Sequence, residues 1–187
     1  VWLRPGTLWQ PETVDSDRLV GNFISLALDS RDQPQIAYFD RKNKRIKFAQ
    51  YLNRSWRTSF VTERSDPGII NLSLALDAND QPQVLYYDNA IAGLVLLRFN
   101  ANRWTPGFVA RASPDGLGAS LKISPETVSC VSFYDSGLKF ARLVGDEWQV
   151  EPVDPEPGVG VYSSLAFDTL GNPQISYYDQ ATRKLKF

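Results

Sequence analysis

SLALDSRDQPQIAYFD, residues 25–40, decides the fold, because the chain writes the same pattern four times. SLALDANDQPQVLYYD begins at Ser73, SLKISPETVSCVSFYD at Ser120 and SLAFDTLGNPQISYYD at Ser164, and all four align without a gap. The starts lie 48, 47 and 44 residues apart. A short apolar stretch follows each copy (RIKFA, GLVLL, GLKFA, KLKF). A tryptophan with a valine five residues beyond it also recurs: Trp9 and Val14, Trp56 and Val61, Trp104 and Val109, Trp148 and Val153. Repetition at such a period marks an architecture of stacked units, none of which can bury its own faces alone.

Each unit reads as four short strands parted by turn residues. In the first, Ile24, Leu26 and Leu28 alternate with Ser25 and Ala27, which suits an inner strand. Ser30-Arg31-Asp32-Gln33 then carries turn chemistry, and Pro34 opens a second strand where a missing N–H is tolerated. Ile46 to Leu52 and Trp56 to Thr62 supply the third and fourth. No stretch sustains a 3.6-residue period with caps, so no helix is expected. The pattern predicts an all-β, four-bladed β-propeller with four antiparallel strands per blade. The blades span about 24–62, 72–110, 119–154 and 163–187 of a single domain, residues 1–187. The last unit stops at Phe187 without its outer strand, and residues 1–14 carry the missing piece. The N-terminal strand is therefore expected to pair with the C-terminal blade and close the ring, removing its open edges.

The SLALD, PQI-x-YYD, LKFA and Trp-x4-Val pieces resemble a β-propeller repeat of predicted bacterial surface or secreted proteins. The resemblance covers nearly the whole chain. It implies the fold and an extracellular or cell-surface setting, and it brings no catalytic residue with it. The signatures of WD40, kelch and sialidase Asp-box blades do not match.

Composition narrows the chemistry. The 187 residues contain no histidine, no methionine and one cysteine. No histidine relay or imidazole metal ligand is available, and Cys130 alone forms neither an internal disulfide nor a thiolate zinc site. Twenty basic against 21 acidic residues offer no broad field for nucleic acid. The dense group Arg41, Lys42, Lys44, Arg45 reads as a solvated hairpin tip. No apolar run approaches the roughly 20 residues of a membrane span. Because Val1 is not an initiator Met, the chain is expected to be processed or trimmed.

Asp40, Asp88, Asp135 and Asp179 close the second strand of every unit, a place where a carboxylate serves its own turn. Asp29-x-x-Asp32 and Asp77-x-x-Asp80 lack calcium-loop spacing, so neither metal nor cofactor is expected. The third unit departs from the pattern: Cys130 is new, and Ser136-Gly137 shortens the hairpin after Asp135. That break predicts a notch on one rim, where Asp115, Tyr134, Asp135, Asp154, Glu156 and Tyr162 are the candidate ligand-binding residues. Trp2, Trp9, Trp56, Trp104 and Trp148 are candidate aromatic contacts, with packing the alternative for the repeated four. The expected function is a non-catalytic binding module holding a glycan or protein partner on its rim loops. The alternatives are a structural subunit of a larger extracellular or surface assembly, an oligomer included, and a carboxylate-only glycosidase.

Overall fold

A computed structural model describes residues 10–61, 70–114 and 118–187, Ile70 by its backbone alone. Among them are fifteen strands and no helix. The first sheet is β1 (Asn22–Leu28), β2 (Pro34–Asp40), β3 (Arg45–Leu52) and β4 (Ser55–Phe60), each antiparallel to the next. The second is β5 (Ile70–Leu76), β6 (Pro82–Asp88), β7 (Gly93–Asn100) and β8 (Arg103–Arg111), and the third β9 (Ser120–Ile123), β10 (Ser129–Tyr134), β11 (Leu138–Val144) and β12 (Glu147–Asp154). The fourth has three strands, β13 (Val159–Phe167), β14 (Pro173–Asp179) and β15 (Lys184–Lys186).

The repeated turn residues act alike in each unit. Asp29 Oδ1 accepts the N–H groups of Arg31 and Gln33, Asp77 those of Asn79 and Gln81, and Asp168 those of Leu170 and Asn172. Where the third unit lacks the aspartate, Ser124 Oγ accepts from Val128 N–H. The aspartates ending the second strand cap the next turn: Asp40 binds Asn43, Asp88 binds Ala90 and Asp179 binds Thr182. Such side-chain acceptors satisfy backbone donors that a tight turn leaves without ladder partners.

The core lies between sheets. Ala37, Phe39, Ile46 and Phe48 of the first sheet pack on Leu72, Leu74, Val84 and Tyr86 of the second. Leu85, Tyr87, Leu94 and Leu96 meet Leu121, Val131 and Phe133 of the third, whose Cys130, Leu138 and Phe140 in turn face Leu165, Val159 and Tyr177. Each large side chain so covered contributes about 1.5–3 kcal/mol. One hydrogen bond recurs at every junction: the N–H of Leu74 donates to Ser25 Oγ, that of Leu121 to Ser73 Oγ and that of Leu165 to Ser120 Oγ, at 2.9–3.2 Å.

Sheet packs on sheet from first to fourth, β1 on β5, β5 on β9, and β9 and β10 on β13. The two end faces of this arc stay open among the described residues. Leu26 is 59% exposed where its equivalent Leu74 is 5% exposed, and Leu185 is 81% exposed where Ile46 is fully buried. The arc is thus not closed by the described residues. Residues 10–14 carry no strand, the fourth sheet ends at β15, and the rest of the expected closing strand, residues 1–9, lies outside the described residues.

The expected notch beside the short third-unit hairpin is filled. Gly137, at φ +148°, lets the chain lie so close that a Cβ there would stand 2.7 Å from the Asp154 carbonyl oxygen. The segment after β12 therefore sits where a longer loop stands in the other units.

Candidate functional site

Of the expected rim residues, Asp154, Asp135 and Tyr134 make bonds within the fold. Asp154, at the end of β12, accepts on Oδ2 from Tyr177 O–H at 3.0 Å and from Lys186 Nζ at 2.8 Å. The Lys186 ammonium holds this carboxyl below the usual carboxylate range, outweighing the upward pull of burial. An equivalent cluster stands beside the first sheet, where Asp15 accepts from Tyr38 at 2.6 Å and also takes Lys47. Asp15 and Asp154 each follow the repeated Trp-x4-Val by one residue, so both ties fasten a linker to the next sheet. Asp135 pairs with Lys139 at 2.6 Å. Tyr134 is half-buried and gives its carbonyl to Ser113 N–H. Glu156 and Tyr162 are exposed, Tyr162 in a left-handed backbone at φ +54°. Asp115 lies outside the described residues.

Three of the five tryptophans are described. Trp56 packs edge-on against Tyr51, and Trp148 packs on the core between the second and third sheets. Trp104 lies between Phe48 and Phe99, with ring centroids 5.5 and 5.2 Å away. Trp2 and Trp9 lie outside the described residues.

Trp104 also lines a cleft of about 140 Å³ at the opposite rim, between the first and second sheets. The first sheet contributes Gln35, Phe48, Gln50 and Ser59, and the second Asp80, Gln81, Pro82, Phe99 and Trp104. Asp80 is oriented by Ser30, whose N–H and hydroxyl both donate to its carboxylate at 2.8 and 2.6 Å and depress its pKa. Gln35 is 7% exposed and its Oε1 is buried without a hydrogen-bond partner among the described residues. That orphan has a cause in the repeat. The equivalent Gln83 has its Oε1 satisfied by Ser129 Oγ at 2.7 Å from the next sheet. For Gln35 the residue in the place of Ser129 is Pro82, which has nothing to donate. An unpaired buried acceptor is costly, of the order of 1–3 kcal/mol. Sequence reasoning reached Trp104 but not Gln35, Gln50, Ser59, Asp80, Gln81 or Phe99. The signal available for Gln35 was the mismatch between Gln35–Pro82 and Gln83–Ser129.

The cleft between the third and fourth sheets is wider, about 420 Å³, and is bordered by Phe140, Glu151 and Val153 on one side and Gln174, Ile175 and Tyr177 on the other. Here Cys130 takes the place of Gln35, and burial pushes its thiol up to about 11, leaving it an inert part of the core. Among the described residues no group of histidine, cysteine or acidic side chains could hold a metal ion, and no helix is long and apolar enough to cross a membrane.

No protein-family model matches the chain, and no curated protein does. Solved structures do resemble it. AofleA from Arthrobotrys oligospora is 11% identical with a TM-score of 0.66, over 90% of this chain and 52% of that one. A variant of the Aleuria aurantia lectin in complex with α-methyl-L-fucoside is 14% identical with a TM-score of 0.60, over 87% and 55%. The Penicillium chrysogenum α-L-arabinanase complexed with arabinobiose is 10% identical with a TM-score of 0.58, over 86% and 54%. The chain spans about half the length of these structures. The likeness is one of fold, that of β-propeller blades set in an arc.

Proposed function

We propose that this protein is a non-catalytic glycan-binding module and that the cleft between its first two blades holds one sugar ring. The observation that carries this reading is the unpartnered Gln35 Oε1 beside an aromatic wall. A sugar offers the matching pair of groups: a hydroxyl to donate to the amide oxygen once the side chain turns toward the cleft, and an apolar C–H face to rest against Trp104 and Phe99. Gln50, Ser59 and Gln81 add polar contacts around the ring. The lectin among the structural neighbours makes methyl fucoside a natural first probe. A hydrolase would need two carboxyl groups facing across the scissile bond, and the described lining of this cleft carries Asp80 alone, already engaged by Ser30. An extracellular or cell-surface setting goes with the glycan reading.

A glycan array read with the wild-type chain and with Gln35→Leu tests it. The wild type should bind a defined set of glycans, and Gln35→Leu should bind them about tenfold more weakly or worse, the loss of one buried hydrogen bond worth ~1.4 kcal/mol. Its melting temperature should not fall, because the substitution removes an unsatisfied acceptor. Equal binding by the two proteins would refute the site.

A further inference from the structure

The cleft between the first two sheets joins a carboxylate to an aromatic wall. Among the described residues Asp80 is its one charged lining side chain, and Phe48, Phe99 and Trp104 supply its rings. An ionised carboxylate has about four lone-pair positions, and Ser30 fills two of them, one on each oxygen. Both oxygens can therefore accept again. Gln81 donates from Nε2 to the Asn79 carbonyl at 3.2 Å and keeps its Oε1 as an acceptor, and Gln35 Oε1 is buried without a partner among the described residues. The fold does not require this set. At the next junction the repeat puts Thr127 in the place of Asp80, Leu96 and Leu143 in those of Phe48 and Phe99, and the cation Arg98 in that of Gln50. At the last junction Gly171 stands in the place of Asp80. Ser30 is equally particular, since Ala78 and Pro125 hold its position in the second and third units. The carboxylate, the hydroxyl that orients it and the extra rings thus occur together at one junction.

We propose that the sugar held in this cleft carries a free amine, whose ammonium pairs with Asp80 while the ring rests on Trp104 and a hydroxyl reaches Gln35. The inference rests on the glycan reading above and names the class of glycan: amino sugars that bear no N-acetyl group. An ammonium brings three donors and no acceptor, the complement of a lining whose acceptors stand open. Its charge is attracted both by the carboxylate and by the faces of neighbouring aromatic rings. An acetamide at the same carbon would lose that charge, and an acidic sugar would set a like charge against Asp80. Ser30's bonds keep Asp80 ionised, with help from the charge of Arg31, which is itself exposed and outside the lining.

Titration calorimetry of the 187-residue chain at about pH 6, where an amine is charged, tests this with two sugar series. Methyl glucosaminide and methyl galactosaminide are each compared with the N-acetyl form and with the parent methyl hexoside. In at least one series the amine should bind about tenfold more tightly than either neutral partner. Asp80→Asn keeps the side chain's size and suits the left-handed backbone at φ +59°. It should erase that margin, whereas Gln35→Leu should weaken the whole series and preserve the margin. A margin that survives Asp80→Asn would overturn the proposal, as would amines that bind no better than their neutral partners. So would six silent sugars beside a glycan array positive only for neutral or acidic glycans. A blank array would overturn the glycan reading and this inference with it.

Discussion

Gln35, Gln83 and Cys130 hold one position of the repeat and meet three different fates. Gln83 is satisfied by Ser129, Cys130 joins the core as a small apolar group, and Gln35 keeps an empty acceptor beside the cleft. The difference resides in the residue across the junction, so Pro82→Ser should hand Gln35 the hydroxyl that Gln83 already has. It should lower glycan binding by titration calorimetry without lowering the urea midpoint, and unchanged binding would count against Gln35 as the anchor. Gly160 marks the opposite limit of tolerance: a Cβ there would fall 2.6 Å from Leu138 Cα, and its φ is +107°. Gly160→Ala should destabilise the chain by about 2–3 kcal/mol in urea, from strain and forced separation of the third and fourth sheets. The sequence reading found the repeated aspartates and their turn duty at this scale. It missed Gln35 because an orphaned acceptor is a property of two residues 47 positions apart, visible only once the sheets are stacked.

Strands and turns were legible because each unit carries its own period-two pattern and its own turn residues, repeated four times. Less legible was the inner strand, whose register slips beside Phe23, Asn71 and Tyr162, all in left-handed backbone. Nothing in a phenylalanine or tyrosine announces that conformation. Asp154, a candidate rim residue in the sequence, forms a tie between β12 and the fourth sheet that no motif announces, because Tyr177 and Lys186 reach it only once the sheets are stacked. That tie has a pH dependence. The carboxyl is depressed in the folded chain, so its stabilisation is complete above the ordinary carboxylate range near pH 4 and is lost as pH falls through the lower folded value. Asp15 behaves alike, since its bonds to Lys47 and Tyr38 outweigh the upward pull of burial. Thermal melts from pH 6 down to pH 2 should show a steep acid loss that Asp154→Asn makes shallower. An identical profile for the variant would mean that Asp154 contributes nothing through its charge.

Four sheets in an arc, each covering the next, hold their shape by burial between sheets and by turn bonds within them. The four antiparallel sheets were legible from the repeat, whereas curvature was not, because the angle between sheets depends on side-chain volumes at three junctions rather than on any motif. The same arc opens the clefts between blades. Glycan binding between the first two blades is most directly tested by a crystal structure of the chain with a glycan selected on the array. A sugar hydroxyl should lie within hydrogen-bond distance of the Gln35 amide, with the ring against Trp104. Sugar density at the opposite rim, around Glu156 and Tyr162, with the cleft beside Gln35 empty, would contradict it.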